Sequence, residues 1–486
     1  MRTLLRIALL AAALGIMAAP ALAQWVCLYA TYDDNADGNA TGHQTTSVGA
    51  IAEDTFVALI MTPDTRNFMV PYVNADSALG RLYGYGYGSA TSGIFNVWTN
   101  YEFDNVVMKN AVKIATTPDG VIYVANNDDY HNILVFKLAN DTVDTFSPYY
   151  RQETGSNPIF GIAVDQNGYV YVSNDATTGV SDDIKVYPPI SSWVPPYTAA
   201  PLRTIDLPDG VYRGLEVSPD GTQLFVADST NRKVWKFNGS PATGYTADAT
   251  FSFALTEADT VENSTLLPIP VNMAYLAPNN ILFVAVDVHG YSSGTHGTYN
   301  YGKILLLNAY TGEPAALDPS ISVIDVAQWN FLQTGDYSTR GGGTVPGNAS
   351  GYTSTLDVDF DANGNLYSQS QYGWTVDKWV YNGTLPVITG VERVSNEIPE
   401  SFSLAQNYPN PFNPTTTIEF TVHQAGNVRL AVYDMLGREI HILVDKDLDA
   451  GNFRITFDAR TLPGGTYFYT LQSGGQSLTK KMMLVK

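Results

Sequence analysis

Oxygen-bearing side chains at alternate positions are the first chemistry this chain offers. Asp33, Asn35 and Asp37, followed by Gly38, reproduce the first half of a calcium-binding loop, in which carboxylate and amide oxygens converge and a glycine makes the sharp turn. The twelfth position is Gln44, where such a loop wants a bidentate glutamate. Asp359, Asp361, Asn363 and Gly364 repeat the half-pattern and end at Ser370. No cofactor is predicted, and calcium is the one ion these stretches would take. Asp287, His289 and His296 stand in a Gly/Tyr-rich stretch whose histidine spacing fits no zinc signature. Cys27, the single cysteine, cannot form an internal disulfide, and no serine elbow, phosphate loop or cysteine–base pair is visible.

A repeated cassette must position these groups. Val112 to Asn126, Gly161 to Asn174, Gly214 to Asp228, Asn272 to Ala285 and Leu356 to Tyr367 each read as a strand, a tight turn such as Pro118-Asp119-Gly120 or Pro219-Asp220-Gly221, and a second strand. Thr62-Pro63-Asp64 before Phe68 is expected to be a degraded first copy. A third strand follows each cassette, as at Ile133–Phe136, Ile184–Tyr187, Val234–Phe237 and Ile304–Leu307, and a fourth at Leu202–Ile205 and Ile321–Ile324. Four strands per unit, repeated about every 50 residues, is the pattern of a propeller blade whose apolar faces need neighbours. Six blades are expected, with residues 341–351 a Gly-rich insertion. A two-sheet sandwich has no reason to repeat one turn signature.

Blade geometry would set the residue after each second strand on one rim of the channel: Asn126, Asn174, Asp228, Val286 and Ser370. Asn126, Asn174, Asp228 and the adjacent Asp287 are the expected ligand-binding ring. The cassettes resemble NHL-type propellers, most clearly at Leu224-Phe225-Val226-Ala227-Asp228-Ser229 with Asn231-Arg232-Lys233-Val234. The resemblance spans about residues 50 to 383 and implies a fold more than an activity. Distant members are calcium-dependent lactonases, whose ligands sit in Asn-Gly-Leu or Asp-Gly-Met tripeptides behind an opening Glu-Gly-Pro. Here the corresponding tripeptides are Phe160-Gly161-Ile162 and Arg213-Gly214-Leu215, without the Glu-Gly-Pro, and neither a phenyl ring nor a guanidinium ligates calcium.

The C-terminal stretch has a different texture. Ile418, Phe420 and Val422, then Val428, Leu430 and Val432, then Phe453, Ile455 and Phe457, then Tyr467, Tyr469 and Leu471 alternate with polar neighbours, as strands of a small antiparallel sandwich do. Tyr408-Pro409-Asn410-Pro411-Phe412, Asp434-Met435-Leu436-Gly437-Arg438 and the closing run from Lys480 to Lys486 resemble the C-terminal sorting domain of type IX secretion cargo. That resemblance implies bacterial export across the outer membrane by its secretion machinery, often with removal of this domain and attachment of the remainder to the cell surface. The N-terminus agrees: Arg2 and Arg6, an apolar run from Ile7 to Met17, and Ala21-Leu22-Ala23 read as a secretory signal peptide, too short to span a membrane.

The formal charge of −21 repels polyphosphate backbones, which argues against nucleic-acid partners. Tyr-rich, Gly-rich stretches at Leu82–Gly88, Tyr291–Tyr301 and Tyr372–Trp374 offer flat rings that stack on sugars or apolar ligands. The expected all-β map is a signal peptide at 1–23, an N-terminal segment at 24–50, an NHL-like propeller at 51–383, a linker at 384–400 and an Ig-like sorting sandwich at 401–486, with no transmembrane segment in the mature chain. The expected role is a secreted or cell-surface module that binds a glycan or protein. A calcium-dependent lactonase or esterase-type hydrolase and a structural surface-layer component are the alternatives.

Overall fold

The computed structural model describes residues 24–32, 44–61, 67–72, 96–98, 105–107, 111, 113–126, 132–139, 142–145, 159–174, 183–192, 200–256, 267–288, 301–315, 322–334, 354–370, 375–388, 391–395, 399–413, 415–459 and 462–485. The expected signal peptide, Asp33, Asn35, Asp37, His289, His296, the Gly-rich insertion, Lys486 and all of the Tyr-rich stretches except Tyr301 lie outside them.

The turn signature has a backbone cause. Gly120, Gly168, Gly221 and Gly364 take φ of +84°, +82°, +71° and +78°, a region that a Cβ disfavours, and Asn280 fills the place at +54°. In three of these turns the side chain that opens the turn caps it. Asp165 Oδ1 accepts the amides of Asn167 and Tyr169 at 2.9 and 3.0 Å, Asp361 Oδ1 those of Asn363 and Asn365 at 2.9 and 3.0 Å, and Ser218 Oγ those of Thr222 and Gln223 at 3.1 and 2.9 Å.

Six antiparallel sheets follow from the cassettes. The first holds Gln44–Ala52, Thr55–Met61 and Asn67–Tyr72. Its turn is Glu53 and Asp54, with Asp54 at φ +56° in the glycine's role, so the degraded copy expected at Thr62 is corrected to this earlier hairpin. The second sheet holds Lys113–Thr116, Val121–Ala125, Ile133–Ala139 and Thr142–Thr145, and the third Ile159–Val164, Val170–Asn174, Asp183–Tyr187 and Arg203–Asp206. The fourth is built on Tyr212–Val217, Gln223–Asp228, Lys233–Ser240 and Gly244–Ala247, the fifth on Ile269–Leu276, Ile281–Asp287, Lys303–Asn308 and Val323–Asp325. In the sixth, Thr355–Phe360, Leu366–Ser370 and Thr375–Asn382 are completed by Gln24–Tyr32 from the far end of the chain. Within the N-terminal segment expected at 24–50, residues 24–32 therefore supply the outer strand of the last sheet and residues 44–50 most of the first strand of the first.

The first strands lie against one another in cyclic order from the first sheet to the sixth, and the sixth returns to the first. Apolar side chains accordingly gather between sheets. Val121, Tyr123, Ile162 and Val172 pack between the second and third, Ile184, Val186, Leu215 and Val226 between the third and fourth, and Phe225, Val234, Met273 and Val284 between the fourth and fifth. Trp25, Phe283, Ile304, Leu366 and Trp379 fill the space between the fifth and sixth, and Tyr367 and Val376 of the sixth meet Phe56 and Ile114 of the first two.

Residues from Val391 onward form two four-stranded antiparallel sheets around a separate core of Phe412, Ile418, Phe420, Leu430, Val432, Ile455, Tyr469 and Met482. One sheet runs Val391–Ser395, Gly451–Asp458, Thr415–Val422, Ser403–Leu404; the other runs Glu439–Leu448, Gly426–Tyr433, Gly465–Ser473, Gln476–Leu484. The expected linker thus contains an edge strand of the sandwich. The first part of the linker is pinned to the ring: Asn279 Nδ2 donates to the carbonyls of Leu385 and Pro386 at 3.2 Å, and Asn280 Nδ2 to that of Ile388 at 2.9 Å. No described helix is long and apolar enough to cross a membrane.

Candidate functional site

Five of the six first strands carry a one-residue register shift at the same level, at Thr45/Ser47, Ile159/Gly161, Tyr212/Gly214, Pro270/Asn272 and Thr355/Asp357. Such bulges re-aim side chains. The equivalent residues after the shift are Ser47, Gly161, Gly214, Asn272 and Asp357, with Lys113 in the same place on the unbulged strand opposite Ala125.

Lys113, Ser47 and Asp357 meet although they come from the second, first and sixth sheets. Lys113 Nζ lies 2.6 Å from Asp357 Oδ1, while Asp357 Oδ2 accepts the Ser47 hydroxyl and, at 3.1 Å, the Val48 amide. All three side chains are buried. Two residues further along, Asp359 Oδ2 accepts the Ala50 amide at 2.8 Å and the Thr116 hydroxyl at 3.3 Å, and Glu216 Oε1 accepts the Tyr275 amide at 3.0 Å. The Glu216 carboxyl on the fourth sheet feels the charges of Asp359 and Asp357 on the sixth sheet and of Lys113 on the second. Burial pushes the Glu216 carboxyl up to about 8, with the Asp359 charge adding to the rise, and pushes Asp359 up to about 6. Burial also raises Asp357, while the Lys113 ammonium pulls it back.

The raised Glu216 carboxyl has a consequence for stability. Between about pH 4.5 and 8 the folded chain keeps a proton on Glu216 that the unfolded chain has lost, so this contribution is complete at low pH and disappears as pH rises through 8. Glu216→Gln is expected to flatten the fall in urea-unfolding free energy between pH 5 and 9 and to stabilise the ring at pH 9 by roughly 2–4 kcal/mol. A variant as pH-dependent as the parent would refute the assignment.

The residues expected to form the rim ring stand at the ends of the second strands. Asp228 is buried and spends its oxygens on its own sheet: Oδ1 accepts the Asn231 amide at 2.9 Å, and Oδ2 accepts Asn231 Nδ2 at 2.8 Å and Trp235 Nε1 at 3.0 Å. Asn126 is buried and its amide donates to the Asn132 carbonyl at 2.9 Å. Asn174 and the buried Asp287 end the second strands of the third and fifth sheets, opposite Ile159 and Ile269. The half-pattern at Asp359 is divided, since Asp359 bonds the Ala50 amide of the first sheet while Asp361 caps its own turn and accepts the Tyr367 hydroxyl at 3.1 Å. Among the described residues no three His, Cys, Asp or Glu side chains are grouped as a metal site. The signal that could have revealed the channel group is a charge where sister cassettes carry Ala115, Ala163 and Ala274, namely Glu216 and Asp359.

In the sandwich, the proline-rich stretch straps the last strand. Phe412 is buried, its amide donates to the Met483 carbonyl at 2.9 Å, and its carbonyl accepts the Val485 amide at 2.9 Å. Asn410 Oδ1 accepts the Met483 amide at 2.9 Å, and Gln406 Nε2 donates to the Lys481 carbonyl at 2.7 Å. The peptides before Pro409 and Pro411 are cis, and Tyr408 is exposed. The backbone amide of buried Asn407 donates to the Tyr469 hydroxyl oxygen at 2.8 Å, and its Nδ2 donates to Thr416 Oγ1 at 2.8 Å. Asp434 closes the hairpin at Gly437 (φ +77°), accepting the amides of Leu436 and Arg438 and pairing with Arg438 Nε at 2.7 Å.

Residues 406–486 match the family model of the secretion system C-terminal sorting domain. The type IX resemblance of this segment is thereby supported, and the protein is delivered through the outer membrane to the cell surface or the extracellular space, with the secretion machinery as its partner. No curated protein matches the chain. A Bacteroides thetaiotaomicron structural-genomics protein of unknown function is similar over 74% of this chain and 76% of its own, at 11% identity and a TM-score of 0.40. A Lactobacillus plantarum protein is similar over 85% and 87%, at 12% identity and a TM-score of 0.33.

Proposed function

We propose that the six sheets are the blades of an NHL-like β-propeller that binds a glycan or protein ligand at the cell surface, with the sorting sandwich as its export address. The observation that carries this reading is the asymmetry of the ring's two ends. At the end of the strand-one-to-strand-two turns, Ser218, Pro219, Gln223, Ala277 and Pro278 share a cavity of about 420 Å³ with His441, Leu443, Thr456 and Phe457 of the sandwich. At the other end the second strands finish. The described strand ends that flank the Tyr-rich stretches, Asp287 and Lys303 on one blade and Ser370 and Thr375 on the next, stand there. Aromatic residues on glycine-rich connections favour a stacking surface over a catalytic cage.

The test is a glycan array probed with the full-length protein, run beside a lactone-hydrolysis assay with and without calcium. Saturable binding that falls at least ~tenfold when Tyr372 and Trp374 are replaced by alanine is expected, as for loss of stacked rings. Calcium-dependent turnover without glycan binding would replace this reading with the hydrolase.

A further inference from the structure

The strap covers only part of the last strand. Lys481 and Met483 turn backbone groups away from Gly465–Ser473 toward Gln406, Asn410 and Phe412, so in the alternation of an antiparallel ladder Ser477 and Thr479 also point their amides and carbonyls to that outer edge. The strap stops at Lys481. From Gln476 to Lys481 every side chain is exposed, and the ladder there runs without a register shift. The opposite edge of this sheet, Glu439–Leu448, is different: its pairing shifts twice, and it lies at the cavity beside the ring.

Charge marks the free edge. Lys480 and Lys481 point to opposite faces of the strand, neither has an ion pair among the described residues, and the neighbouring strand Gly465–Ser473 carries no acidic side chain. Lysines on an edge repel a second copy of the same edge. They attract a strand that brings carboxylates to both faces.

We propose that the outer edge of Gln476–Lys481 is a strand-addition site for an extended, acidic polypeptide segment of a partner met during export. The proposal rests on the sorting role of the sandwich and names the way it is read: backbone hydrogen bonds from Ser477, Thr479 and the Lys481 amide give affinity, and the two ammonium groups select acidic sequence.

Thr479→Pro tests it, because proline removes an amide that faces outward and so is tolerated at an edge, where it blocks an incoming strand without breaking the native ladder. The probe is a labelled hexapeptide, Thr-Val-Glu-Glu-Val-Thr, titrated into the full-length protein, with the Lys-Lys version as control. Saturable binding is expected, with slowed amide exchange at residues 477, 479 and 481. Binding should be lost in Thr479→Pro at unchanged melting temperature, and weakened about tenfold in the Lys480→Glu/Lys481→Glu pair. Absence of binding, or equal binding by Thr479→Pro, overturns the proposal. In cells, Thr479→Pro should reduce surface display relative to Thr479→Ala. Normal display of Thr479→Pro, with display abolished by deletion of residues 406–486, refutes strand addition and leaves the sorting role standing. Normal display after that deletion removes the sorting role and the proposal with it.

Discussion

Replacing Lys113 with methionine is expected to cost the folded ring about 3–5 kcal/mol at pH 7, because it strands a buried carboxylate. Asp357 is fully buried and would keep the Ser47 hydroxyl and the Val48 and Val358 amides, none of which carries a charge. Methionine fills the volume of the lysine stem, so the loss would report the charge and not a cavity. Acid should restore part of it, since protonating Asp357 removes the stranded charge. Pairing Lys113→Met with Asp357→Leu should recover most of the loss, since an apolar pair of similar volume replaces a buried ion pair at little cost or with a gain. Urea unfolding of the two single variants and the double variant at pH 5 and pH 7 makes the cycle. A single-variant loss below about 1 kcal/mol would mean that water reaches the pair and screens it.

What could be read from the residues divides along local and non-local lines. The tight turns were legible because a glycine at positive φ and a capping Asp or Ser leave their mark within five residues, as at Asp165 and Ser218. The sandwich strands were legible because one face is buried and the other wet, so Ile418, Phe420 and Val422 alternate with exposed or half-buried neighbours. The first hairpin was misplaced because Glu53 and Asp54 turn the chain without glycine or proline. At the site, a residue's place in the repeat fixes where its side chain starts but not what it bonds, as Asp228 shows by holding Asn231 and Trp235. The channel group escaped notice because Lys113, Asp357 and Glu216 are distant in sequence and neighbours only once the ring has closed.

Closure itself rests on the strand Gln24–Tyr32, which no nearby residue signals. It pairs along its length with Thr375–Asn382, and Trp25, 8% exposed, sets its ring 5.6 Å from Phe283 of the fifth sheet and 5.3 Å from Tyr381. The strand thus ties the last sheet to its neighbour as well as completing it. Trp25→Ala is expected to destabilise the ring by about 3–5 kcal/mol, the usual cost of emptying a large aromatic site in a core. Deleting residues 24–32 should do more than add such losses, since it bares the edge of Thr375–Asn382, which carries the buried Val376 and Trp379. An uncovered apolar edge recruits other chains. The deleted protein should therefore elute as concentration-dependent oligomers in size-exclusion chromatography with light scattering, and a synthetic peptide of residues 24–32 added in trans should return it to the parent's elution volume. A monomeric deletion variant with the parent's melting temperature would show that the ring holds without its closing strand, and the cyclic packing of the six first strands would then have to carry the stability alone.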